Sequence, residues 1–279
     1  MIFNNIPISF FSLGGWFYGM AHGMSHKNVH LRQCQFAAAQ DPCITLKLAR
    51  SFVHAKIRNS WTLLMRNHTE LPREISTRLK RLASESLDVD SVDSLLGVEG
   101  AAAQTYFSTF DGMIKQRSAN NDGTALTFDF NGRNRRPPTD PTNAMLSYAY
   151  GLLAKDLTVT AFLVGMDPFM GFFHKPRFGR PALALDLMEE FRPVIADSVV
   201  ISVINNKIIT ARDFVRRGRS VAFTDQARKK FIQAYENRMD TLVSHPVFGY
   251  QISYRRTLEV QTRLVARVVT GEIHDYPAF

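Results

Sequence analysis

Cysteine is almost missing from this 279-residue chain, with only Cys34 and Cys43 present. They form no CxxC and no zinc-ligand pattern, which excludes a disulfide framework or a cysteine-based metal site and fits a reducing cytosol. A long unbroken apolar run is missing too: "VTAFLVGMDPFMGFF" is interrupted by Asp167 and Pro168 before it could cross a bilayer, so no membrane segment is expected. The opening stretch MIFNNIPISFFSLGGWFYGM has neither a basic leader nor a small-residue cleavage site, and reads as strand, Gly-Gly turn, strand. Repeats, low-complexity tracts and helix-turn-helix, zinc-finger or RNP signatures are absent, so base-specific readout is not expected. Acidic excess is absent as well. Lys and Arg number 34 against 25 Asp and Glu, a formal charge of +9, which makes a polyanion the first partner to consider.

What is present is helical spacing over most of the chain. Ser25 is a candidate cap for a helix over 28–40, and Asp41 followed by Pro42 starts a longer one reaching about 67, because proline is tolerated at the first helical position. Segments 71–87 and 91–115 continue the pattern. Residues 117–139 hold turn formers, a short strand-like "LTFDF" and a basic Pro-rich run, and read as a loop with at most a hairpin. Asp140-Pro141 opens another helix ending before Asp167, and Arg180-Pro181 opens the next. "NNKIITARDF" reads as a turn and a short extended piece, followed by helices near 225–243 and 253–270. The expected fold class is mainly α behind a stub of β structure.

Four acids and a histidine are the candidates for chemistry. Asp186, Glu189 and Glu190 share one helix face beside an apolar row of Leu183, Leu187, Phe191 and Ile195. On the bland reading they are a solvated edge. Glu99 is harder to dismiss, since it interrupts the stripe Val92, Leu95, Leu96, Ala102, Ala103, Tyr106 and Phe110. An ionised carboxylate on a core-facing stripe costs several kcal/mol without compensation, so Glu99 should be protonated, paired with a base or bound to a cation. His174 lies in a Gly-, Pro- and Phe-rich connector. One imidazole with two or three carboxylates is a hard, oxygen-rich donor set that suits Mg²⁺ or Mn²⁺. Neighbouring arginines and lysines would then hold nucleic-acid phosphates, giving a metal-dependent phosphodiester enzyme.

"LLGVEGAAAQTYF" around Glu99, "RRPPTDPTNAMLSYAYGLL" from 135 and "HKPRFGRPALALDLMEEFRP" from 174 resemble the CRISPR-associated spacer-acquisition integrases, the protein numbered one in that nomenclature. The resemblance implies a multi-helix integrase catalytic domain over 25–279, with 1–24 the end of a β-rich N-terminal domain. It implies metal ligands Glu99, His174 and Glu189, with Asp186 as an acid that assists or substitutes. It also implies that the 3′-hydroxyl ends of spacer-precursor DNA, double-stranded with 3′ overhangs, are joined to CRISPR repeat DNA. The partners implied are a second copy in a homodimer, a small ferredoxin-like adaptation subunit and, in relatives sharing this motif wording, a fused RecB-like exonuclease. Family members begin with a longer β domain. A fragment, a misplaced start or a portion of a fused polypeptide each accounts for the shortfall. Rival readings are a stand-alone structure-specific repair nuclease and a non-catalytic DNA-binding scaffold.

The arginines gather in runs: Arg133, Arg135 and Arg136; Lys175, Arg177 and Arg180; Arg212, Arg216, Arg217 and Arg219; Arg255 and Arg256. Phosphate contacts carry affinity with little sequence information, so these runs read as a DNA track or as solvated faces. Tyr148 and Tyr150 read as core, and Lys56 and Asn59 as reaching DNA or solvent.

Overall fold

Asp41 shows how the sequence sets the frame. Its carboxylate accepts from the amides of Cys43 and Ile44, and its own amide donates to the Ala38 carbonyl, so one residue ends α1 (Val29–Gln40) and starts α2 (Pro42–Asn67). The computed structural model describes residues 6–12, 17–23, 28–115 and 126–279. α1 is capped by Asn28, whose side chain accepts from Leu31 N at 3.1 Å; the expected cap, Ser25, lies outside the described residues, as does the Gly-Gly turn. Helix α2 is the central rod. Leu48, Phe52, Ile57 and Leu64 are buried along it, and α3 (Arg73–Asp88), α4 (Val92–Ser108) and α6 (Ala182–Phe191) pack around it.

Helix α5 (Pro141–Val164) is held at both ends by local chemistry: Asp140 accepts from Asn143 N, and Gly165 closes it at a φ of +98° that favours glycine. It packs against α6 and α9 (Tyr254–Val269). Beyond α6 the helix widens into a π turn, Arg192–Asp197, before α7 (Ser198–Asn205). Helix α8 (Asp225–Asp240) completes the set. The strands form three two-stranded antiparallel pairs: β1 (Ile8–Phe11) with β2 (Phe17–Ala21), β3 (Phe214–Arg217) with β4 (Ser220–Phe223), and β5 (Leu242–Ser244) with β6 (Gln251–Ser253). No described helix is long and apolar enough to cross a membrane.

Several expectations need correction. The helix read over 91–115 stops at Ser108, where the Thr109 hydroxyl bonds back to the Thr105 and Tyr106 carbonyls, and a 3₁₀ turn, Phe110–Met113, follows. "LTFDF" forms no strand; Phe128 and Phe130 are buried, and Phe130 N donates to Asp111 Oδ1. In "NNKIITARDF" the extended piece is a 3₁₀ turn, Ala211–Asp213, fixed by a reciprocal Thr210–Asp213 capping box. The β3–β4 hairpin within the third basic run was not expected, nor was the β5–β6 pair. Leu96 is 44% exposed, and Val98 and Thr105 take the buried positions beside Leu95, Ala102 and Tyr106.

Candidate functional site

Gly171 begins the arch that seats the histidine. A Cβ there would come within 2.7 Å of the Ala182 carbonyl carbon and of Asp186 Oδ2, so only glycine lets the connector lie this close to α6. The amides of Phe172 and Phe173 donate to Asp186 Oδ2 at 2.6 and 3.0 Å, and the His174 amide donates to Oδ1 at 2.7 Å. The fourth acceptor position takes His174 Nδ1, also at 2.7 Å. A carboxylate offers about four lone-pair sites, and all four are used by the chain. Asp186 is fully buried, the opposite of a solvated edge. With Nδ1 donating to Asp186, His174 turns its Nε2 lone pair outward, 3.9 Å from Glu189 Oε1.

Glu189, one turn along α6, is 2% exposed. Arg192 Nη2 lies 3.0 Å from its Oε1, and Lys56 Nζ lies 2.5 Å from its Oε2. Lys56 also donates to Glu99 Oε1. A single ammonium therefore spans Glu99 of α4 and Glu189 of α6. Burial pushes the Glu189 carboxyl upward, but chiefly the Arg192 and Lys56 charges outweigh it and hold the group at about 2. Among the described residues, no group of three His, Cys, Asp or Glu side chains stands as placed within common reach of one ion. It is Lys56 that occupies the space between the two carboxylates.

Residues that sequence reasoning left out complete the surroundings. Lys56, read as solvent- or DNA-facing, is an internal cation. The Arg192 guanidinium lies 4.9 Å above the Tyr150 ring, with Arg133 5.4 Å from the same ring. Tyr150 and Tyr106 donate to the two oxygens of Asp197 at 2.7 and 2.8 Å, and burial raises Asp197 to about 6 despite those bonds. The π turn places Arg192 and Asp197 toward the same cavity of about 30 Å³, room for an ordered water, with Lys56, Glu99 and Arg135 on its wall. The i, i+3 spacing of Glu189 and Arg192 was the available signal for Arg192. For Lys56 the sequence offered no comparable one.

Glu190 points elsewhere. It is fully buried and accepts from the Tyr276 hydroxyl at 2.5 Å and the Phe279 amide at 2.7 Å, while Asn59 Nδ2 donates to both the Glu190 and Phe279 carbonyls. Asn59 is thus structural. Tyr148 packs edge-on against Phe223 and Phe231.

The basic residues divide by what they touch. Arg133 is half-buried and bonded to Asn143 Oδ1 and Ser147 Oγ at 2.7 and 3.0 Å. Arg255 is paired with Glu236 and Asp240. Arg135, Arg136, Lys175, Arg177, Arg216 and Arg217 are exposed, and Arg180 is half-buried. A backbone bond from Val221 N to Pro138 O, 2.9 Å, sets the β3–β4 hairpin beside the Pro-rich loop, so two basic runs far apart in sequence become neighbours.

Comparison with known proteins bears on the family and the fold. The family model described as "CRISPR associated protein Cas1" matches residues 1–237. A Geobacter sulfurreducens protein named as a CRISPR-associated exonuclease Cas4/endonuclease Cas1 fusion is 48% identical over 98% of this chain and 49% of its own length. A Thermus thermophilus CRISPR-associated endonuclease Cas1 is 38% identical over 98% of this chain and 78% of its own. The chain spans about half the length of the fusion relatives it matches. Among solved structures, a casposase bound to integration product superposes with a TM-score of 0.82 at 25% identity, over 100% of this chain and 76% of that one. A Cas1 protein from Thermotoga maritima, at 22% identity and a TM-score of 0.78 over 98% and 81%, shares the fold.

Proposed function

Because the chain belongs to the CRISPR associated protein Cas1 family, we propose that it is the catalytic unit of a divalent-metal-dependent DNA integrase and endonuclease acting in spacer acquisition. The incoming 3′-oxygen bonds to a repeat phosphorus as the bond from that phosphorus to the repeat's own 3′-oxygen breaks. The proton of the attacking hydroxyl ends on the oxygen released, and the number of phosphodiester bonds is unchanged. No protein nucleophile is required.

The observation that supports this reading is that Lys56 bridges Glu99 and Glu189, with His174 Nε2 3.9 Å from Glu189 Oε1. The donor set fits Mg²⁺ or Mn²⁺: two carboxylates, that of Glu189 almost wholly buried, and an imidazole nitrogen left free by the bond of its ring partner to Asp186. Glu99, Glu189 and His174 would hold the ion, which would supply Lewis-acid chemistry to the phosphate. Asp186 orients the His174 ring. Arg192 keeps Glu189 ionised, and Lys175, Arg177, Arg216 and Arg217 hold phosphates of the two DNA partners.

The names of the relatives bear on assembly. Fusion to a Cas4 exonuclease in the relative of twice the length supports a RecB-like exonuclease as a fused or associated partner here. The likeness to a chain of a Cas6-RT-Cas1–Cas2 complex, 22% identical, shows the fold alone. A homodimer, a small ferredoxin-like Cas2-type subunit and a cytoplasmic setting complete the proposal. Strand-transfer assays test it: with Mn²⁺, branched product forms from 3′-hydroxyl ends, and fails with 3′-dideoxy ends, with chelator and in Glu99→Gln. Cleavage indifferent to the 3′ end identifies a repair-type nuclease instead, and tight binding without any chemistry identifies a scaffold.

A further inference from the structure

Four residues past His174 the connector makes a tight turn. Arg177 and Arg180 face each other as an antiparallel bridge, Arg180 N donates to Arg177 O at 3.0 Å, and Gly179 takes a φ of +70°. Phe178 sits at the tip with a relative exposure of 108%, against 73% for Tyr18 and 52% for Phe10, the next most exposed aromatics among the described residues. Single exposed apolar side chains are common on protein surfaces, so what marks Phe178 out is its company: a ring fully in water at the tip of a turn bounded by two arginines.

The surroundings define what that ring can meet. Lys175 and Arg177 are exposed beside it, Arg180 is half-buried, and no acid lies between His174 and Leu185. One aromatic ring flanked by cations, with no other apolar side chain on the turn, matches a base face between two phosphates; protein-docking surfaces instead gather several apolar groups. A ring can stack only where a base face is free, at a duplex end, a branch or an unpaired nucleotide. The chain from His174 to Phe178 spans at most about 14 Å, so the base concerned would lie within a few nucleotides of the phosphate reacting at the proposed ion site.

We propose that Phe178 is a DNA-stacking residue that covers the base exposed at the branch point beside the reacting phosphate, with Lys175, Arg177 and Arg180 gripping the backbone on either side. The inference rests on the integrase reading for its ligand and adds a residue that holds the branched DNA open. It takes no part in the chemistry.

The test uses the full chain, a branched DNA carrying 2-aminopurine next to the junction phosphate, and the variants Phe178→Ala, Phe178→Trp and Glu99→Gln. Stacking on Phe178 quenches the 2-aminopurine in wild type, in Phe178→Trp and in Glu99→Gln, and the quench is lost in Phe178→Ala. Phe178→Ala weakens affinity for the branched DNA about 5- to 100-fold, the range for loss of one base–aromatic stack. Its affinity for blunt duplex is unchanged, as is its melting temperature. An equal quench in Phe178→Ala and wild type overturns the inference while strand transfer by wild type leaves the integrase reading standing. Wild-type quenching without any strand transfer does the reverse. Loss of self-association in Phe178→Ala, with quenching intact, makes the tip a protein contact and also overturns it.

Discussion

Asp186 Oδ1 accepts two hydrogen bonds from a single residue, the backbone amide and ring Nδ1 of His174, both at 2.7 Å. Asp186 therefore fixes the position of the connector and the tautomer of the imidazole together. Asp186→Asn keeps the size but has one accepting oxygen, and its amide NH₂ must face N–H donors. The expected outcome is a loss of about 1–3 kcal/mol in denaturant unfolding and a roughly 10- to 100-fold weaker Mn²⁺ affinity by calorimetry. A variant that unfolds like wild type and binds Mn²⁺ equally well would show Asp186 to be neither strut nor orienter.

Lys56 contacts both Glu99 and Glu189. Lys56→Met leaves two carboxylates facing each other with Arg192 alone as counter-charge, so the thermal midpoint at pH 7 should fall without divalent ions and recover on adding Mn²⁺. Recovery absent at saturating Mn²⁺ would count against the cation position between the two acids.

Asp197 supplies a pH test on the wall of the same cavity, through a group outside the proposed ligand set. Its folded value, about 6, lies above the ordinary 3.8, so the native state binds the proton more tightly. The associated stabilisation is complete below pH 3.8 and is lost as pH rises through about 6. Asp197→Asn has no such proton to lose. Its stability relative to wild type should rise across that window by an amount on the order of 2 to 3 kcal/mol; a difference that is flat with pH in parallel urea titrations refutes the assignment.

Gly171→Ala places a methyl against the Ala182 carbonyl carbon and Asp186 Oδ2, neither of which is a flexible chain end. Unfolding experiments should show a loss of about 1–3 kcal/mol. Gly100→Ala, where an added Cβ meets nothing within 4 Å, serves as control and should fold normally.

Arg216 and Arg217 are exposed on β3, whereas Arg255 is bound to Glu236 and Asp240. The Arg216→Ala/Arg217→Ala pair should weaken duplex binding and flatten its salt slope by about 0.9 for each phosphate that is no longer neutralised, with Arg255→Ala close to wild type. Filter binding at several salt concentrations decides this. Equal weakening by both changes would place Arg255 on the track.

Helices with strong local signals were legible in the sequence. Asp41-Pro42 and Asp140-Pro141 start α2 and α5 at the expected residues because the cap lies within four positions of what it caps. Leu183, Leu187, Phe191 and Ile195 are all buried as their spacing implies. The burial of Asp186 and Glu190 was not legible, because their partners come from residues 172–174 and 276–279, and spacing along α6 says nothing about distant donors. Lys56 is the sharpest case. On α2 it looks like any surface lysine, and only the packing of α4 and α6 against α2 encloses it. The β3–β4 hairpin was hidden by its arginines, although Gly218 between Val215 and Val221 marks the turn.

The two acids, the lysine and Arg192 amount to two negative and two positive charges in mutual contact. The centre of the molecule is therefore electrically self-sufficient. During synthesis the chain can complete its packing with no ion to hand, unlike small zinc modules that stay unfolded until loaded. On the proposed reading, loading would be an exchange of one cation for another in a finished protein, governed by how readily a flexible four-carbon arm withdraws.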